Sequence, residues 1–218
     1  MTIIGGIDEA GRGPVIGPLI IAGIAIHENK LKILKNLQVK DSKQLTPSKR
    51  TKIAFALRSV ASCIILKEIP PAIIDSYTEK GKLNLLEAEF MAHIIKELYN
   101  VHTKIVYVDA PDINELRFKN TLLHILQNKY NINGIEIIAE HKADKKYLIV
   151  SAASIIAKVY RDSVIKRLHS TYGDFGSGYP SDPKTISYLK KVLSEGKLPP
   201  IIRKSWKTFK RLNSSLDT

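Results

Sequence analysis

From Lys104 onward the chain alternates two kinds of segment, and their order leaves little topological freedom. KIVYVD, Lys104 to Asp109, is an apolar run that Pro111 forbids from continuing. Asn114 to Tyr130 reads as a helix, Ile135 to Glu140 as a second strand, and Tyr147 to Leu168 as a long helix. Strand, helix, strand, helix implies parallel pairing through a right-handed crossover. The N-terminal half differs. Ile3 to Ile7 and Leu19 to Ile26 are β-branched runs separated by a loop holding Gly11, Gly13, Pro14, Gly17 and Pro18, which predicts neighbouring strands in a hairpin. SCIILKEI, residues 62–69, is a third strand stopped by Pro70-Pro71. Thr46 is a predicted N-cap with Pro47 at the first helical position, followed by Ile53, Ala54, Leu57 and Val60 on one face. Leu83, Leu86, Phe90, Ile94 and Leu98 fall at helical spacing over Leu83 to Tyr99. The fold class expected is therefore α/β: an antiparallel meander, then parallel strands, with flanking helices.

Charge narrows the partner. The chain carries 34 Lys+Arg against 21 Asp+Glu, a net charge of +13. Such an excess favours a polyanion, because a basic surface attracts phosphates and releases their counterions. Residues 182–218 hold nine of the cations against three acids and read as a helical tail, expected to pack on the sheet through Leu189, Leu193, Trp206 and Phe209. The expected organisation is one domain over residues 1–170 with a basic helical extension over 171–218. A single cysteine, Cys63, allows neither an intramolecular disulfide nor a thiolate zinc cage. No apolar run reaches the roughly 20 residues of a membrane span, and the N-terminus lacks a signal-peptide pattern. These features lead us to expect a soluble, cytoplasmic protein.

Three predicted strand ends carry acids: Asp8 and Glu9 after Ile7, Asp109 after Val108, and Glu140, followed by Asp144, after Ala139. Ligands gather at such ends when strands run parallel. Carboxylates brought together there repel one another unless a cation neutralises them, and an all-oxygen set suits a hard cation, Mg²⁺ or Mn²⁺. With a basic protein around it, that arrangement fits phosphoryl-transfer chemistry. A lone acid after a strand is more often a turn-former or cap. Successive strand residues also point to opposite faces, so Asp8 and Glu9 share a site only where their strand is ending.

Several blocks resemble one family in order along nearly the whole chain. GIDEAGRGPVIGPL (Gly6 to Leu19) and SAASIIAKVYRD (Ser151 to Asp162) are similar to the most specific signatures of type 2 ribonuclease H. DSKQLT (Asp41 to Thr46), VYVDAPD (Val106 to Asp112), GSGYP (Gly176 to Pro180) and IRKSWKT (Ile202 to Thr208) extend the match, and AEHKAD (Ala139 to Asp144) resembles the archaeal branch. The resemblance implies a ribonuclease H-like mixed sheet. It implies catalytic and metal-binding carboxylates at Asp8, Glu9, Asp109 and Asp144; position alone favours Glu140 over Asp144. The implied reaction is hydrolysis: water acidified by one ion attacks the phosphodiester in line, and the charge on the departing 3′ oxygen is shared with a second.

The implied substrates are RNA–DNA hybrids and duplex DNA with embedded ribonucleotides, cut on the 5′ side of the ribonucleotide to leave 3′-hydroxyl and 5′-phosphate ends. Gly11 and Gly13 would let the backbone approach the sugar, Arg12 would grip a phosphate, and Tyr179 would stack on the sugar at the junction. Lys43 and Lys158 are candidate phosphate contacts, with solvated or capping roles as the alternative. Ser154, Lys158 and Arg161 share one helix face. His141 lies near the candidate site. The rivals are a ribonuclease HIII-like nuclease, against which Arg12 and Asp144 speak, and a nucleic-acid-binding module without activity. Nothing in the sequence requires more than a monomer, and LNSSLDT lacks the paired aromatics of a sliding-clamp peptide.

Overall fold

In the computed structural model, which describes residues 2–39 and 45–215, the elements follow the alternation expected. They are β1 (Ile3–Ala10), β2 (Leu19–His27), α1 (Leu31–Asn36), α2 (Pro47–Val60), β3 (Cys63–Ile69), α3 (Pro71–Thr78) and α4 (Leu83–Asn100). Then come β4 (Thr103–Asp109), α5 (Glu115–Tyr130), β5 (Glu136–Glu140), α6 (Ala143–Lys146), α7 (Leu148–Tyr172), α8 (Pro183–Ser194) and α9 (Lys207–Ser214). The five strands form one sheet in the order β3-β2-β1-β4-β5. β1 is antiparallel to β2 and parallel to β4, and β4 is parallel to β5, which is the mixed sheet expected.

Two compact units interleave along the sequence. The first holds the sheet apart from Leu19 and the last two residues of β3, together with α1, α2, α4 from Asn84, α5, α6 and α7 up to Val159. Its core is aliphatic: Leu19 through Ile26 of β2 are all buried, so this strand is covered on both faces. Leu86, Met91, Ile95 and Leu98 of α4 and Phe118, Leu122 and Leu126 of α5 are buried with it. The close fit of α7 is recorded at Gly6, where an added Cβ would lie 2.4 Å from the backbone oxygen of Ile149. Ala152, Ala153 and Ala157 are fully buried along the same helix. Thr46 caps α2 as expected, its hydroxyl accepting from the Lys49 amide at 3.3 Å, and Asn114 caps α5 through the Arg117 amide at 2.9 Å.

The second unit gathers residues 11–19, 68–83 and the chain from 160 onward. Here the structure corrects the expected packing of the tail. Leu189, Leu193, Trp206 and Phe209 join Val15, Ile16, Ile165, Phe175, Ile201 and Ile202 in a cluster that contains no residue of the sheet. A basic helix needs some apolar surface to bury against, and the loop after β1 supplies it through Val15 and Ile16. Two short helices, α1 and α3, were not foreseen. Pro70-Pro71 does end β3, but Pro71 also sits at the first position of α3, where its fixed φ and missing N–H cost nothing.

β1 is longer than expected, running to Ala10 rather than stopping at Ile7. Its two edges end at different places. Pairing with β2 continues to Ala10↔Ile20, whereas pairing with β4 stops at Ile7↔Val108. The edge of β1 along Asp8 and Glu9 is thus free of β4 while the strand itself stays extended.

Gly6→Ala should lower stability by about 3 kcal/mol, because the new methyl group meets helix backbone that cannot rotate away. For a chain of this size that is a fall of roughly 6–12 °C in Tm, readable by circular dichroism; an unchanged Tm would contradict the close approach of β1 and α7.

Candidate active site

β1, β4 and β5 run parallel, so their C-terminal ends lie along one edge of the sheet. Asp8 and Glu9, Asp109, and Glu140 occupy those ends. Asp8 is almost fully buried and Glu9 half-buried. The Asp8 carboxylate accepts the Glu9 amide at 2.7 Å and a hydrogen bond from the Ser154 hydroxyl. Burial, then the negative charges of Glu9 and Asp109, push the Asp8 carboxyl well above the usual carboxylate range. Glu9 and Asp8 are successive residues of a paired strand, yet they act on one another electrostatically, and Asp109 joins them across the end of the β1–β4 ladder. Each cause of the shift is one that a hard dication would relieve, and the donors are all oxygens, so the chemistry of the set fits such an ion. Among the described residues, no three His, Cys, Asp or Glu side chains are arranged to cage a metal by themselves.

Asp144 sits on α6, one residue after the amide of Ala143, which donates to Asp109 Oδ1 at 2.7 Å. The turn that presents it is fixed from several directions. Lys142 enters it with φ 55°, in the left-handed region. Glu140 takes a hydrogen bond from Lys146 Nζ and another from the Tyr147 hydroxyl at 2.9 Å, and those partners hold its pKa down. The Ser151 hydroxyl donates to the Asp144 carbonyl, and the Tyr147 ring stacks on Tyr107 with centroids 4.4 Å apart. Glu140, which position in the sequence favours, is therefore spent on bracing the turn that carries Asp144.

On α7, Lys158 Nζ donates to Ser154 Oγ at 2.6 Å, so the lysine reaches Asp8 through the serine. Sequence reasoning placed these residues on one helix face but gave Ser154 no role; the signal was the i, i+4 spacing to Lys158. Lys43 lies outside the described residues.

In the second unit, Gly11 has φ 92°, and an added Cβ there would lie 2.5 Å from Arg161 Nε. Arg161 is only 6% exposed, donates to the Ser177 carbonyl at 3.2 Å and stacks 5.2 Å from the Tyr179 ring centroid. Gly13 borders the same ring, with an added Cβ 3.7 Å from it, and Arg12 is half-buried between the two glycines. Gly11, Gly13 and Tyr179 are thus brought together around Arg161, a residue to which sequence reasoning assigned nothing specific.

His141 bridges two loops of the first unit. Its Nδ1 lies 3.2 Å from the Ala110 carbonyl and its Nε2 3.1 Å from the Ile113 carbonyl. Both nitrogens can donate at once only as imidazolium, so the Ile113 carbonyl first, aided by that of Ala110 and by Glu115, raises its pKa. The two bonds are fully present below the unfolded value of about 6.5 and are lost as pH rises through the higher folded value. An NMR titration of His141 should give a midpoint above that of a denatured reference; an equal or lower midpoint would show that the ring does not bridge both carbonyls.

Comparison with known proteins bears on the chain as a whole. The family model for ribonuclease HII matches residues 5–209. A ribonuclease HII of Caldivirga maquilingensis is 48% identical over 96% of this chain and 94% of its own length. Among solved structures, ribonuclease H2 from Pyrococcus horikoshii superposes with a TM-score of 0.89 at 40% identity, covering all of both chains. The ribonuclease HII of Archaeoglobus fulgidus, solved in a complex with PCNA, has a TM-score of 0.85 at 41% identity over 96% of each chain. With the family model spanning nearly its full length, the chain belongs to the ribonuclease HII family and is a type 2 ribonuclease H endonuclease.

Proposed function

We propose that this endonuclease hydrolyses the RNA strand of RNA–DNA hybrids and nicks duplex DNA on the 5′ side of an embedded ribonucleotide, leaving 3′-hydroxyl and 5′-phosphate ends. The observation that carries the reading is the buried Asp8 carboxyl, loaded by the charges of Glu9 and Asp109 at the ends of parallel strands. Without a cation such a set repels a phosphodiester; with one it attracts it. The family depends on divalent metal. We assign Mg²⁺ or Mn²⁺, two ions with substrate bound, to Asp8, Glu9, Asp109 and Asp144. Held there, such ions would supply an acidified water and positive charge for the phosphodiester.

The chain's own residues set the directions. Ser154 and the Glu9 amide each bind an oxygen of Asp8 and so fix how its remaining lone pairs point. The Ala143 amide does the same for Asp109, tying it to the turn of Asp144. Lys158 holds positive charge against Ser154, where it is the candidate contact for a phosphate. Gly11 and Gly13 admit the sugar to the backbone, Arg12 holds the neighbouring phosphate, and Tyr179, 40% exposed, stacks on the sugar. The excess of 13 positive charges draws the duplex in. We take the enzyme to act in the cytoplasm as a monomer.

A duplex with one ribonucleotide, incubated with Mg²⁺ or Mn²⁺, should be nicked once, 5′ of that residue, and EDTA should stop cleavage while leaving binding. Failure to nick, or equal nicking of an all-DNA duplex, would overturn the reading. Cleavage that survives EDTA would remove the ions from it. Asp109→Asn should abolish turnover with duplex binding retained. Ser154→Ala should cut turnover by about 10–100-fold with little change in Tm, the usual cost of losing a partner that orients a ligand; wild-type turnover would show that Asp8 needs no such support.

A further inference from the structure

Arg203, one of the nine cations of the C-terminal region, has a fully buried side chain. Its guanidinium spends three donors on three carbonyls of one loop. Nε donates to Gly17 at 2.9 Å, one terminal nitrogen to Arg12 at 3.0 Å and the other to Gly11 at 2.6 Å. The Arg203 amide adds a bond to the Val15 carbonyl at 2.9 Å. Three residues on, the Trp206 ring lies 4.8 Å from the guanidinium carbon, and its indole N–H donates to the Gly13 carbonyl at 3.0 Å. Between them, the Lys204 amide and the Ser205 amide and hydroxyl all bond the Asp75 carboxylate of α3, which holds this segment in place.

Every carbonyl from Gly11 to Gly13 is thus engaged by one of two side chains. A planar fork with donors at fixed angles can hold three oxygens at once, as a flexible ammonium cannot. A glycine-bearing loop gains shape from such bonds, since its own backbone offers little resistance to other conformations. Each clamped carbonyl fixes the peptide plane it shares with the next residue, so the bond to Gly11 orients the Arg12 amide and the bond to Arg12 orients the Gly13 amide, while the bond to Gly13 fixes the turn into Pro14, which has no N–H.

We propose that Arg203 and Trp206 are positioning residues for ribonucleotide recognition: they clamp the carbonyls of Gly11, Arg12 and Gly13 and so preset the amides that meet the sugar. The inference rests on the proposed role of that loop. It assigns the clamp to the discrimination between ribose and deoxyribose, separate from the carboxylate chemistry.

Two variants test it in an Asp109→Asn background, where binding is measured without cleavage. Trp206→Phe keeps a ring against Arg203 and removes only the indole N–H. Arg203→Lys keeps the charge and loses the fork. The quantity read is the ratio of Kd for an all-DNA duplex to Kd for the same duplex with one ribonucleotide. Trp206→Phe should lower that ratio about fivefold, the worth of one hydrogen bond, and Arg203→Lys should lower it further, with the all-DNA Kd changed less than about twofold. A role in stability alone would reduce Tm and weaken both duplexes alike, leaving the ratio untouched. A folded Trp206→Phe protein with the wild-type ratio overturns the proposal, whatever the fate of Arg203→Lys. A parent Asp109→Asn protein with no preference for the ribonucleotide overturns instead the role given to the loop, and the clamp's with it.

Discussion

The arrangement depends on one unfavourable interaction: a carboxyl buried beside two others. Left alone, Asp8 pays for desolvation and for the charges of Glu9 and Asp109. The fold holds these groups together because none can withdraw. Asp8 is fixed within a paired strand, and Asp109 ends a strand whose neighbour is the same β1. The backbone amide of Glu9 and the hydroxyl of Ser154 soften the repulsion without cancelling it. A site of this kind stores electrostatic free energy, which the rest of the fold must offset for the chain to stay folded.

The surrounding turns answer that strain with redundancy. Glu140, Lys146 and Tyr147 close one loop of bonds, Ser151 closes a second, and Asp109 itself closes a third through Ala143. None of these needs a ligand to form. The acid on α6 is therefore delivered by a segment only four residues long, too short to be stable by helical propensity.

Much of this could be read from the sequence. The alternation after Lys104, the cap at Thr46 and the apolar runs were enough for the N-terminal hairpin, the parallel crossover and the acids at the strand ends, though not for the order in which the strands lie. What sequence could not supply was direction. Period-two reasoning allowed Asp8 and Glu9 to cooperate only if β1 stopped at Ile7; in fact the strand continues, and it is the β4 ladder that stops. A helical face was visible in Ser154, Lys158 and Arg161, but not that Ser154 would turn to Asp8 and Arg161 to Tyr179. Arg203 was only one of nine cations in the tail, because composition records charge and not whether carbonyls are waiting for it. The tail's apolar residues were recognised as anchors, but a partner such as Val15-Ile16, more than 170 positions away, has no local signature.

That distance bears on how the enzyme is made. The Gly11 carbonyl and its guanidinium partner are separated by 192 residues. The loop after β1 is synthesised 192 residues before the arginine that clamps it, and its clamp cannot exist while that stretch is being made. At about 5–20 residues per second the interval is of the order of ten seconds or more. The segments that carry the acids all precede that arginine, so Asp8, Glu9, Asp109 and Asp144 are in the nascent chain before the loop has its clamp. Biosynthesis thus separates in time the making of the acids from the shaping of the loop that follows them.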